Sequence, residues 1–170
     1  MERTVFQRND ADDASVAREA SEACAARYDQ TLGMNALFAL KDFSIGDIIT
    51  PFRAKEVCAE PTYLTVQVGE NVHIELWPVH LEFMNHSCNP NCFFNMDSFV
   101  IEAIKDIRAG DQLTFFYPST EWHMQQPFAC SCGAEQCCGT ISGADAMARE
   151  KLNAYRLSSF ITDKLSRRPQ

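Results

Sequence analysis

Short apolar or alternating runs, punctuated by turn residues, give the middle of the chain a β texture. Between residues 37 and 100 the runs "ALFAL", "DIITPF", "YLTVQV", "NVHIEL" and "FVIEAI" each fit one small strand, and "SIGD", "GEN" and "NMDS" supply turns between them. "RAGDQLTFFY" adds a further strand after an Ala-Gly-Asp turn. Upstream, residues 10–28, "DADDASVAREASEACAARY", are rich in Ala, Glu and Arg and predict a short helix. Downstream of Gly143, the spacing of Met147, Leu152, Tyr155, Leu157, Phe160, Ile161 and Leu165 predicts one amphipathic helix that packs on the domain or on a partner. The pattern as a whole predicts an α+β, β-rich fold of several small sheets with helical ends.

The remaining stretch, residues 128–139, fits neither texture. "FACSCGAEQCCG" has too few aliphatic residues to hold itself together, so something else must pin it. Composition narrows the choice. With 170 residues, 46% hydrophobic and 22% charged, the chain suits one domain with a real core. No apolar window is long enough for a bilayer, and the acidic start "MERTVFQRNDADDAS" resembles neither a signal nor a transit peptide. The expected setting is therefore soluble and intracellular, cytoplasmic or nuclear, where the eight cysteines read as metal ligands or free thiols rather than disulfides. Fifteen basic against twenty-three acidic residues, a formal charge of −8, argue against direct nucleic-acid binding and suit a basic partner.

Cys130, Cys132 and Cys137 form a C-x-C-x4-C array whose Gly133 lets the backbone fold three sulfurs round one point. Three thiolates call for zinc, and a closed structural site takes a fourth ligand. Cys138 is a poor fourth, because adjacent side chains seldom converge on one ion. Cys88 and Cys92 are both candidates, and either would staple residues 128–139 onto the polar loop "NHSCNPNC" that follows the apolar "LEFM". Metal-binding free energy then becomes folding free energy for a segment without a core of its own. The loop itself crowds Asn85, His86, Ser87 and Pro90 beside predicted core, a placement tolerated only if those groups are satisfied by protein, water or ligand.

"NHSCNPN", then "AGDQLTFFY", then "FACSCGAEQCCGTI" resemble, in order and approximate separation, the signature of SET-domain protein-lysine methyltransferases with a post-SET zinc segment. The likeness covers about residues 32–141, and the family's Gly-x-Gly start is partly visible in "GMNALFALKDFSIGDII". The resemblance implies an N-terminal extension over residues 1–30, helical by the pattern above, a SET domain over 31–118, a zinc segment over 119–141 and a C-terminal helix over 142–170. It implies a pseudoknot, in which the segment carrying Tyr117 passes beneath a loop formed by "NHSC". It also implies S-adenosylmethionine as cofactor, held by Asn85 and His86, by the backbone of Met34, Asn35 and Ala36, and by Phe128 near the adenine. Cys88 matches the fourth zinc ligand beside Cys130, Cys132 and Cys137. Tyr117 matches the catalytic tyrosine, and Phe115 the position where phenylalanine leaves room for a second or third methyl group. The sequence departs from the family pattern in three places: Met34-Asn35-Ala36 stand at Gly-x-Gly, Phe116 replaces the Asp before the tyrosine, and Glu82 replaces an Arg.

Methyl transfer from a sulfonium to a neutral amine needs alignment and exclusion of water more than acid–base machinery. Phe115, Phe116 and Tyr117 are expected to line an apolar channel that favours the deprotonated lysine. The expected acceptor is a lysine of a basic protein or peptide, histone or otherwise, with no membrane partner. The alternatives are a SET-like enzyme acting on a small molecule, by N-methylation of an amine or by another reaction, consistent with the short segment between residues 51 and 80, and a non-catalytic zinc-stabilised binding module.

Overall fold

The computed structural model describes residues 10–168. It opens with α1 (Asp10–Ala23) and passes straight into β1 (Cys24–Asp29), which pairs antiparallel with β2 (Met34–Ala39) from Cys24↔Ala39 to Asp29↔Met34. The turn between them closes through Gly33 N to Asp29 O at 2.8 Å, with Gly33 at φ +68, a conformation that glycine adopts without strain. Two three-stranded antiparallel sheets follow. One orders β3 (Ile48–Pro51), β9 (Val100–Ala103) and β8 (Cys92–Asn95); the other orders β4 (Arg53–Cys58), β6 (Val72–Trp77) and β5 (Thr65–Gly69). A short 3-10 turn at Val79–Phe83 leads into β7 (Asn85–His86), which runs parallel to β10 (Thr114–Phe115). The last sheet is the minimal pair of β11 (Phe128–Ala129) and β12 (Thr140–Ile141). No helix among the described residues is long and apolar enough to cross a membrane.

The β-rich α+β architecture of small sheets matches the sequence pattern, and its core follows from it. Alternating strand faces send Leu37, Ile49, Ile74, Leu76, Phe94, Ile101 and Leu113 into one cluster with Phe52, Leu81 and Met84. A second cluster gathers Phe116, Met147, Leu152, Ile161 and Leu165 from the end of the chain.

Two expectations about the ends change. The predicted helix over residues 10–28 stops at Ala23, and Cys24–Asp29 is a strand. Its Ala-rich composition favours helix weakly, whereas pairing along the whole of β2 satisfies its backbone. Residues 1–9 of the predicted extension lie outside the described residues. The predicted single helix over 142–170 is instead a 3-10 turn (Ala144–Ala146), then α2 (Arg149–Leu152), then α3 (Ser159–Arg167). The apolar spacing was a true signal of burial, since Met147, Leu152, Ile161 and Leu165 are all buried. The helix breaks where Tyr155 and Arg156 reach back to Cys88 O and Glu102, and Ser158 caps a new one by accepting from Ile161 N at 3.3 Å.

Candidate functional site

A threaded loop makes the site. Residues 85–91 turn round the strand β10, which is bonded from both flanks: Ser87 N donates to Phe115 O at 3.0 Å, and Asn91 N donates to Thr114 O at 3.3 Å. Asn91 Oδ1 accepts from Thr114 N at 2.9 Å while its Nδ2 donates to Gln112 O, also at 2.9 Å. The Asn-rich sequence of the loop supplies these bonds, which is why so many polar groups can lie beside the core. This is the pseudoknot that the resemblance implied.

His86 and Tyr117 are locked together at the crossing. Tyr117 N donates to His86 Nδ1 at 3.2 Å, so the ring proton belongs on Nε2, which faces Cys88 Sγ at 3.3 Å. Burial pulls the imidazole down to about 4, and the ring is neutral. With both nitrogens engaged, His86 positions Tyr117 and Cys88 and offers its ring edge and backbone to a ligand. The Tyr117 hydroxyl donates to Met84 O at 3.2 Å, and burial, followed by the charge on Glu121, pushes the phenol up to about 12 against the bond to His86. Tyr117 therefore acts as a hydrogen-bonding dipole at neutral pH, not as an acid or base.

Two cavities meet at this tyrosine. The larger, about 470 Å³, is lined by Met34, Asn85, His86, Phe128 and residues 129–132, among others. The smaller, about 210 Å³, is lined by Phe115, Leu81, Glu82 and Glu121. Tyr117 and Phe128 belong to both. Of the residues matched to a cofactor, Met34, Asn85, His86 and Phe128 thus share one cavity. Asn35 joins them only through its carbonyl, which accepts from Asn85 Nδ2 at 3.2 Å, and Ala36 lies buried in β2 beneath it. At residues 34–36 the backbone is an extended strand without positive φ, so the missing glycines leave no strain. Phe115 sits beside Tyr117 with ring centroids 4.7 Å apart. Phe116 does not line either of these cavities. Strand alternation turns it to the opposite side, where it stacks on Tyr155 at 3.6 Å and 4°.

The cysteine array closes against the same loop. Among the described residues, the sulfurs of Cys88, Cys130, Cys132 and Cys137 all lie within 4.8 Å of one another, and Cys88 and Cys130 are 3.9 Å apart. Tetrahedral bonds of ~2.3 Å put zinc-bound sulfurs about 3.8 Å apart, so these four could hold zinc. Cys138 N donates to Cys88 Sγ at 3.3 Å, an amide–sulfur bond of the kind that steadies a ligating thiolate. Cys92, the alternative ligand, is buried in β8 and bonds to Asn91 Oδ1 instead.

Sequence reasoning missed three residues here. Glu121 is buried and lines the smaller cavity, but a lone acid between Thr120 and Trp122 carries no periodic signal. Tyr155 donates to Cys88 O at 2.9 Å and Gln136 Nε2 to the same carbonyl at 3.2 Å. Only the chain fold brings these two to the loop.

Comparison with known proteins agrees with this geometry. A SET-domain family model matches residues 34–118, half of the chain. The chain is 44% identical over 107 residues to the methyltransferase flvH of Aspergillus flavus, covering 62% of this chain and 60% of that protein. It is 39% identical over 91 residues to an H3 lysine-36 specific histone-lysine N-methyltransferase of Aspergillus oryzae, covering 49% of this chain but only 9% of that protein. The fold resembles the crystal structure of KRYPTONITE in complex with mCHG DNA and SAH, with a TM-score of 0.54 at 20% identity, covering 69% of this chain and 28% of that one.

Proposed function

This chain belongs to the SET-domain family, and from that premise we propose that it transfers a methyl group from S-adenosylmethionine to the side-chain amine of a lysine in a basic protein or peptide. One observation carries the reading: a larger cavity that contains Asn85 and His86 and a smaller one that contains Phe115 meet at Tyr117 and Phe128. Donor and acceptor can therefore approach from opposite sides of one tyrosine.

The larger cavity fits the cofactor by its donor set, since Asn85, Ser87, Gln112 and Thr114 offer polar groups and Phe128 an aromatic face for a heterocyclic base. Bound there, S-adenosylmethionine supplies a methyl group already activated by its sulfonium. Asn85 and His86, with the strand from Met34 to Ala36 behind them, would hold it, and Phe128 would cover it. The chain's own residues then have a limited task. Phe115, Leu81 and Phe94 keep water from the smaller cavity and disfavour an ammonium there. The Tyr117 oxygen, held by Met84 O, orients the amine. Phe115 in place of a hydroxylated residue leaves space for a nitrogen that already carries methyl groups.

Cys88, Cys130, Cys132 and Cys137 would hold zinc as a structural ion, and its contribution is to keep Phe128 and residues 129–132 over the larger cavity. The net charge of −8 suits a basic acceptor. A free small amine is the second reading, favoured by residues 61–66 and 124–126, which wall the smaller cavity along with the tyrosine. Calorimetry with S-adenosylmethionine, followed by peptide-array and free-amine methylation, tests the proposal. Cofactor binding with transfer to lysine peptides supports it, transfer only to free amines selects the second reading, and no cofactor binding leaves a zinc-stabilised binding module.

A further inference from the structure

The smaller cavity contains a carboxylate that the protein leaves half-satisfied. Glu121 is 8% exposed, and both hydrogen bonds to it, from Gln67 N at 2.9 Å and Thr120 Oγ1 at 3.0 Å, fall on Oε1. Among the described residues Oε2 has no hydrogen-bond partner. The cavity that Glu121 lines also contains Glu82, and no Lys, Arg or His is among its lining residues. A carboxylate buried beside Phe115, Tyr117 and Leu81 without a protein cation is costly, so the cation it is suited to comes from outside.

We propose that Glu121 is the proton acceptor of this cavity: Oε2 receives an incoming alkylammonium and takes a proton from it, delivering a neutral amine beside Tyr117. This rests on the methyl-transfer reading. In the step, an N–H bond breaks with its electron pair kept by nitrogen, and an O–H bond forms at Oε2. The freed lone pair forms the bond to the methyl carbon, sulfur keeps the pair of the broken C–S bond, and the product leaves as a methylammonium. Glu121 returns its proton to solvent when the cavity empties.

Burial pushes Glu121 up to about 7, against the bonds from Gln67 and Thr120 that favour its charge. An alkylammonium near ~10.4 in water is lowered by the same burial, so the two groups converge and the neutral pair competes with the ion pair. A base poised near neutral pH is effective there. The titratable groups that share the cavity are Tyr63, Tyr117, neutral at this pH, and Glu82, also raised by burial.

The test uses n-butylamine, a lysine side chain without its backbone, added to the full chain saturated with S-adenosylhomocysteine at pH 8. Infrared difference spectra are expected to show a protonated-carboxyl band in wild type and in Glu82→Gln, and none in Glu121→Gln. A band that survives in Glu121→Gln, or is missing from wild type, overturns the proposal. Carbon-13 spectra of wild type labelled at glutamate carboxyls give a readout that does not depend on any variant folding: one resonance titrating near 7 and shifted by butylamine is expected, and its absence counts against the proposal. With an active acceptor, Glu121→Gln should lower kcat/KM at pH 7 by roughly 10²-fold or more and remove the limb near 7, with cofactor affinity unchanged. An unchanged pH profile also overturns it. Lysine peptides and free amines as acceptors distinguish the source of the ammonium. The band and titration need no turnover, so failure of methyl transfer alone counts against the reaction and not against Glu121 as the amine's proton acceptor.

Discussion

At the scale of single residues, the proposed reaction gives Tyr117 the part of a dipole and Glu121 that of a charge in the smaller cavity. The Tyr117 hydroxyl is anchored on Met84 O, so Tyr117→Phe should leave cofactor affinity and folding intact while lowering turnover roughly 10²- to 10³-fold. Calorimetry alongside a methylation assay checks this, and unchanged turnover would remove the tyrosine from the chemistry. Glu121 gives a prediction about stability. Its carboxyl titrates at about 7 in the fold against an ordinary 4.5, so the folded chain holds the proton more tightly. The stabilisation is complete below pH 4.5 and is lost as pH rises through about 7. Glu121→Gln removes that loss, and its Tm relative to wild type should be higher at pH 8 than at pH 5, by the equivalent of about 3 kcal/mol at most. A Tm difference that does not change with pH would show the buried acid to be insensitive to its surroundings. Tyr117, Asn85, His86 and the zinc-type cysteines were legible because each sits in a short contiguous motif. Glu121 was not, because its importance lies in what surrounds it in space.

Among the elements, the tail and the cysteine segment depend on partners far away in the chain. Phe116, which stands where the family carries Asp, is 2% exposed and stacks on Tyr155, so this departure joins β10 to the helices α2 and α3. Phe116→Ala should cost about 3 to 5 kcal/mol, measured by denaturant unfolding, with faster hydrogen exchange in residues 144–165. Loss confined to the core strands would refute the link. The strand runs were legible through alternation, since "FVIEAI" buries Ile101 and Ala103 on one face and "NVHIEL" buries Ile74 and Leu76 on one face, with His73 buried on the other. β1 was not, because "CAARYD" prefers helix by composition and becomes strand only through its pairing with β2. The broken tail helix was equally illegible: periodicity found its buried residues, but the bonds from Tyr155 and Arg156 that interrupt it join residues with no sequence proximity to their partners.

For the whole molecule, the four sulfurs and the threaded loop form one assembly. Cys132→Ser, or prolonged chelation of the wild type, should release zinc, abolish cofactor binding and leave the two three-stranded sheets folded, since their cluster contains none of the four ligands. Metal analysis with far-ultraviolet circular dichroism checks this; retention of full metal content in the variant would refute the ligand set. The order of the three sequence motifs made the family legible, whereas the path of the chain through the loop came only from the resemblance, since general topology rules disfavour threading. That path has a mechanical consequence. Because β10 is bonded to Ser87 on one flank of residues 85–91 and to Asn91 on the other, tension applied at the C-terminus loads both bonds together, and neither can yield without the other. Under load the protein should hold longest where these two segments cross.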